Sequence, residues 1–277
     1  MLYRVGAEIC DSSDTLLELL QERKITDPRF EDVRSEIPDP DWTGVKTYEE
    51  ALRLLTNGYQ PAVKQIYEEI SVKSGRPVNG RNRGYIVKTA PEGFQPVVPL
   101  AIMGLPNSMV TCVRGQNGAK VLNLFVDTTC LESTSILMMT FWGIQLMKMI
   151  YNLEMCGNKI NLYVCQAFAG KAGADMLCLK VKNSNTPLDL RRISFPLCHT
   201  AFTRVIGFDW YSKFPAGVYR KSYGTVLVNA VGKDEAHRLI RTMFGPSALF
   251  VTYKELEAGG ESYLRRALSI EAISKRT

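Results

Sequence analysis

Two histidines and seven cysteines are the residues of this 277-residue chain best suited to nucleophilic or proton-transfer chemistry. Cys198 and His199 are adjacent. Neighbouring side chains rarely face each other for proton transfer, and no third group is marked to orient the imidazole. No catalytic residue is assigned on this pattern. His199 is expected to pack or hydrogen-bond at the Pro196 break, with Arg204 one or two turns on. His237 falls on an amphipathic helix beside Arg238 and Arg241 and is expected to face solvent. The cysteines Cys10, Cys112, Cys130, Cys156, Cys165, Cys178 and Cys198 include no C-x-x-C pair. Most lie in apolar runs, which suits small buried hydrophobes in a reducing compartment rather than a disulfide framework or zinc cluster.

Phosphate chemistry has little support. There is no G-x-x-x-x-G-K-[ST], and no G-x-G-x-x-G follows a strand. The AGKAG stretch at 169–173 reads as a tight connection. One segment could meet nucleic acid: Lys73, Arg76, Arg81, Arg83 and Lys88, with Tyr85 between them, offer cations for phosphate and a ring for base stacking. A second basic group, Arg265, Arg266, Lys275 and Arg276, reads as a wet helix face with a cationic end. The net charge of +6 allows an anionic partner without requiring one.

These residues need elements to hold them. Apolar residues make up 45% of the chain and charged residues 22%, enough for a sizeable core and unlike a disordered composition. The start lacks the pattern of a secretory leader. The run Ile136–Ile150 contains Gln145 and Lys148 and is shorter than the ~20 residues of a membrane span, so a buried helix is expected. Residues 1–90 read as mainly helical. Ser12 or Ser13 caps a helix bearing Leu16, Leu17, Leu19 and Leu20. Asp27–Trp42 reads as a loop. Thr47 and Glu50 form a capping box, and Asn57-Gly58 ends that helix. Pro61 opens another helix through Val63, Ile66, Tyr67 and Ile70.

Beyond Gly75 the pattern turns to strands. Asn117-Gly118 predicts a hairpin joining SMVTCV to KVLNLFVD. Ser133 is expected to cap a long helix from Thr134 to about Cys156, apolar on nearly every side and so sandwiched. KINLYVCQAF and MLCLKVKN form an antiparallel hairpin. Pro187 opens a helical stretch interrupted at Pro196. GTVLVNAV is a strand, DEAHRLIRTMF a helix, ALFVTYKEL a strand and SYLRRALSIEAISK a closing helix. Strands alternating with helices imply parallel pairs and right-handed crossovers. The expected fold is a three-layer α/β sandwich with a mostly parallel sheet and one antiparallel hairpin. The expected division is a helical extension over 1–90 and an α/β domain over 91–277.

The order from about residue 108 onward resembles the von Willebrand factor A domain: strand, long buried helix, antiparallel hairpin, then further alternation. The stretches KTYEEALRLLTNGY, GLPNSMV, NLEMCGNKINLYV and FPLCHTAFTRVIGF resemble an uncharacterised family of bacteriophage and mobile-element proteins. That resemblance implies a phage origin and a cytoplasmic place in a bacterium, and carries no activity. The A-domain resemblance implies a divalent cation, such as Mg, at a D-x-S-x-S motif, where a hard ion takes carboxylate and hydroxyl oxygens. Here Asp127 and Thr129 fit the first two positions, and Leu131 breaks the third. Thr186, Asp189 and Asp234 are the accessory candidates. Ligands of open α/β sheets sit beyond the carboxyl ends of parallel strands, so Asp127, Thr129 and the loop 184–189 are expected to meet there.

The function expected is a non-enzymatic interaction or assembly protein with a protein partner or self-assembly, no membrane and no cofactor beyond such a cation. The alternatives are nucleic-acid binding through the 73–88 segment and a divalent-metal-dependent hydrolase.

Overall fold

A computed structural model describes residues 4–22, 34, 37, 39–73, 85–93, 95–96, 101–114, 121–155, 158–169, 173–212 and 226–253. Its centre is a five-stranded sheet in the order β1-β7-β6-β5-β8. The strands are β1 (Arg4–Cys10), β5 (Val121–Asp127), β6 (Lys159–Ala169), β7 (Gly173–Lys182) and β8 (Ala248–Thr252). β5 pairs in parallel with β6 and β8, and β1 in parallel with β7. The β6–β7 pair is the expected antiparallel hairpin. A small antiparallel sheet holds β2 (Tyr85–Ala90), β3 (Gln95–Pro96) and β4 (Met109–Arg114) in the order β2-β4-β3.

Helices cover both faces of the large sheet. One face carries α1 (Ser13–Glu22), α3 (Tyr48–Asn57), α4 (Gln60–Lys73), α5 (Ile136–Met155) and α6 (Leu190–Cys198), around a core that includes Leu124, Val126, Val164 and Phe168. The other carries α8 (Leu227–Val231) and α9 (Lys233–Phe244), over Phe125, Cys165, Met176 and Phe250. This split follows from the pleat, because successive residues of a strand point to opposite faces. Strands covered on both faces carry continuous apolar runs, as in Leu124–Val126 of β5, Tyr163–Cys165 of β6 and Ala248–Val251 of β8.

Local signals set several boundaries. Ser12 Oγ accepts from the Thr15 N–H at 3.1 Å, and Leu16 and Leu20 are the buried leucines of α1. Thr47 Oγ1 accepts from the Glu50 N–H at 3.1 Å, while Glu50 Oε2 reaches back to the Lys46 N–H at 2.8 Å, one residue beyond the expected partner. Gly58 ends α3 at φ +79°, where a Cβ would lie 2.3 Å from the Arg191 carbonyl oxygen. A short helix, α2 (Pro40–Thr43), capped by Asp39, begins within the Asp27–Trp42 stretch.

Four expectations are corrected. β4 and β5 do not form a hairpin: β4 pairs with β2 and β3, whereas β5 is central in the large sheet. Burial of both faces of β5 outweighs the turn signal between them. The N-terminal stretch is not helical alone, because β1 joins the large sheet beside β7. Within GTVLVNAV, residues 227–231 are helical rather than extended. Leu227 packs inward, Asn229 and Ala230 face solvent, and Gly232 at φ +85° stops the turn. β-branched composition is a weak guide where only one side of a segment is buried. Finally, Ser135 rather than Ser133 starts the long helix, accepting from the Met138 N–H at 3.1 Å.

Candidate functional site

The carboxyl ends of β5, β6 and β8 meet at one rim. The ladders align Thr252, Asp127, Cys165, Cys178 and Ile9 in a row across all five strands. Asp127 is buried there, and its Oδ1 accepts from the Thr129 N–H at 2.9 Å. A carboxylate ending a strand thus fixes the turn that follows. The loop is then tied down residue by residue. Thr128 N–H donates to the Cys165 carbonyl at 2.9 Å. Gln166 Nε2 donates to Thr128 Oγ1 at 2.6 Å, and the Ala167 N–H to Thr129 Oγ1 at 2.7 Å. Thr203 Oγ1 donates to the Thr128 carbonyl at 2.9 Å.

The five residues assigned to a cation do not converge. Asp127 and Thr129 share the rim, but β7 runs antiparallel to β6 and delivers its carboxyl end to the opposite edge. Lys182 pairs with Leu162, and the Ser184 N–H donates to Asn161 Oδ1 at 2.7 Å. Asn161 lies beside Asn123, four residues down β5 from Asp127, or about 13 Å of strand. Thr186 and Asp189 therefore belong to the far end. Thr186 Oγ1 donates to the Asn183 carbonyl, and Asp189 caps α6 through the Arg191 N–H at 2.9 Å. Asp234 is exposed on the first turn of α9. The expectation that the 184–189 loop meets Asp127 is overturned by the direction of one strand. Among the described residues no group of three or more His, Cys, Asp or Glu could hold a metal ion.

Arg204 organises the rim, and the sequence reading gave it no such part. It lies in a π-helix, Phe202–Gly207, between α6 and α7 (Phe208–Tyr211). π-turns recur at functional sites, but this one has a structural use. Arg204 Nη1 donates to the Trp42 carbonyl at 2.5 Å. Nη2 reaches the carbonyls of Leu131, Glu132 and Thr134 at 2.9, 3.0 and 2.8 Å. The guanidinium also stacks 4.4 Å from the Trp42 ring centroid, and Trp42 Nε1 donates to the Glu132 carbonyl at 3.1 Å. One cation thereby joins α2, the 131–134 loop and the π-helix. Nearby, burial pushes the Cys130 thiol up, against the opposing pull of Arg204, so this cysteine is not an activated nucleophile.

Cys198 and His199 are structural. Burial raises the Cys198 thiol and lowers His199 to about 4, the latter against an opposing pull from Glu50. His199 Nδ1 accepts from the Ala201 N–H at 3.2 Å, and Tyr59 meets the ring edge-on at 4.8 Å. The expected packing role near Pro196 matches this neutral, buried imidazole, although α6 continues two residues past Pro196. His237 departs from expectation: it is half-buried, edge-on to Phe250 with centroids 5.6 Å apart.

Of the basic segment, Arg76, Arg81 and Arg83 lie outside the described residues. Lys73 ends α4, and Tyr85 and Lys88 stand opposite Arg114 and Thr111 in the β2–β4 ladder. No described helix is long and apolar enough to cross a membrane.

The start of α5 carries the feature most at odds with the sequence reading. Leu137 is 83% exposed, Phe141 54%, Leu131 48% and Met138 41%. The middle and end of α5 are covered by α4, α6 and β6, with Ile144, Leu146, Met147 and Ile150 buried. The first two turns are buried on one side only: Met139 and Gly143 face inward and Thr140 Oγ1 donates to the Cys198 carbonyl at 3.0 Å, while Leu137, Met138 and Phe141 lie on the uncovered side.

The fold and rim define a mixed α/β protein with a mostly parallel sheet and a polar network at its strand ends. Residues 11–247 match the family described as a domain of unknown function (DUF7192), and the chain belongs to that family. No curated protein and no solved structure matches it.

Proposed function

We infer that this chain is a non-enzymatic protein-interaction or assembly protein, encoded by a phage or mobile element and built on an A-domain-like core. The order β5, α5, β6–β7 hairpin and following helices supports the core assignment. The observation that carries the function is the apolar surface of Leu131, Leu137, Met138 and Phe141 beside the strand-end rim. Contiguous exposed apolar groups mark sites of association. The polar groups beneath them hold the loop and helix that present this surface.

The test is affinity capture of the full chain from cells that carry its gene, comparing wild type with L137E/F141S. Loss of a specific partner from the double variant, at unchanged melting temperature, supports the reading. An identical partner set, or no enriched partner from either, overturns it. The basic stretch Lys73, Arg76, Arg81, Arg83, Tyr85 and Lys88 favours a second reading, nucleic-acid binding. That reading requires a gel shift at ~50 mM salt that weakens steeply as salt rises. A metal-dependent hydrolase lacks converging carboxylates among these candidates, because Asp189 lies at the other end of the sheet from Asp127.

A further inference from the structure

Cys165 of β6 and Cys178 of β7 stand directly opposite each other in the central hairpin, both with free thiols and both fully buried. Their sulfurs are 3.3 Å apart, the Cys165 thiol donating to Cys178 Sγ. The pair belongs to the core beneath α8 and α9, among Phe125, Ala167, Met176 and Phe250. Burial pushes the Cys165 thiol up, so it packs there in its neutral form. The backbone decides whether such a pair can be joined. The N–H and C=O of one strand residue point to the same side of the strand. The Cys165 carbonyl accepts from the Thr128 N–H on the β5 side, and two residues on the Ala167 N–H points the same way, to Thr129 Oγ1. Cys165 and Cys178 are therefore a non-hydrogen-bonded pair of the β6–β7 ladder, the kind whose Cα atoms come closest, to about 4.5 Å. That separation lies within the span a disulfide bridges, and facing side chains of such a pair share one face of the sheet.

We propose that Cys165 and Cys178 form a redox modification site, which closes to a cross-strand disulfide when hydrogen peroxide enters the core. Full burial keeps out bulky and charged oxidants and selects a small neutral one. One sulfur attacks a peroxide oxygen, the O–O bond breaks, and the thiol proton leaves with the other oxygen as water, giving a sulfenic acid. The second sulfur attacks the sulfenic sulfur, the S–S bond forms, the S–O bond breaks, and a second water carries off the second thiol proton. Two thiols are oxidised and one peroxide is reduced to two waters. The bond staples β6 to β7 beside Gln166 and Ala167, the residues that tie down the loop at Thr128 and Thr129.

The experiment treats the full wild-type chain with hydrogen peroxide at about 1 mM, native and unfolded in urea, blocks the remaining thiols in acid and maps tryptic peptides by mass. Lys171 lies between the two cysteines, so trypsin places them on separate peptides, 160–171 and 172–180. In the native chain these two peptides appear joined, about 2 Da below the sum of their reduced masses, in at least tenfold higher yield than from the unfolded chain, where seven cysteines compete. The linked chain melts about 5–10 °C above the reduced one, as a crosslink closing a loop of this length implies, and dithiothreitol reverses both changes. Oxidation of the native chain without the 165–178 link overturns the proposal. So does a yield no higher than in urea, or a linked chain that melts no higher than the reduced one. Because the readout needs no variant and no partner, it is independent of the α5 surface.

Discussion

Replacing Arg204 by methionine keeps much of the side-chain volume and removes the cation that holds the rim. Four carbonyls then lose a charged donor, and Trp42 loses its stacked guanidinium. At ~1 kcal/mol net for each hydrogen bond and ~1–2 kcal/mol for the stacked cation, the simple sum is about 5–6 kcal/mol. Water entering beside the exposed Leu131 and Glu132 restores part of that, leaving ~3–5 kcal/mol. For a chain of this size ~2–4 °C accompanies each kcal/mol, so the melting temperature falls by about 6–20 °C. Hydrogen exchange locates the loss. Amides of residues 131–135 and 42–44 exchange faster, while those of β5 and β6 slow or speed only with global stability. An R204M chain melting within ~2 °C of wild type, with unchanged exchange at 131–135, would refute the clamp.

Three further outcomes follow from the same packing. His199 is held neutral near pH 4 against 6.5 when unfolded. Its contribution is therefore complete above pH 6.5 and is lost as the pH falls toward 4, by ~3 kcal/mol; urea midpoints measured across that window flatten in H199Q. Gly143→Ala places a Cβ 2.4 Å from the Leu197 carbonyl oxygen and 2.5 Å from Cys198 Sγ, forcing α5 and α6 apart. The overpacking cost of ~1–3 kcal/mol exceeds the ~0.5–1 kcal/mol helix gain, so thermal denaturation shows a net loss. Added Mg at about 10 mM shifts the melting temperature by under ~1 °C, in wild type and D127N alike. A rise of several degrees confined to wild type would restore a cation site at the rim.

Much of the helical and strand pattern was legible in the residues. Leu16 and Leu20 recur at helical spacing, Thr47 and Glu50 mark a helix start, and the apolar runs of β5, β6 and β8 announce strands covered on both faces. These are local properties, set by side-chain period and by which groups can satisfy a helix end. The β6–β7 hairpin was equally readable, because its strands are neighbours in sequence.

Partnership and direction were decided by the tertiary structure. The Asn117-Gly118 signal described a turn, while the choice of partners for β4 and β5 depended on which faces could be buried. Thr186 and Asp189 have suitable chemistry for a cation, but the antiparallel course of β7 carries them away from Asp127. Arg204 offers no spacing motif: its role arises because a π-turn aims it at carbonyls more than sixty residues distant in sequence. The exposure of Leu137 and Phe141 likewise depends on which side of α5 meets α6, against which Thr140 and Gly143 pack. A sequence specifies what each segment can bury or bond, whereas the meeting of distant segments is fixed only when the whole chain packs at once.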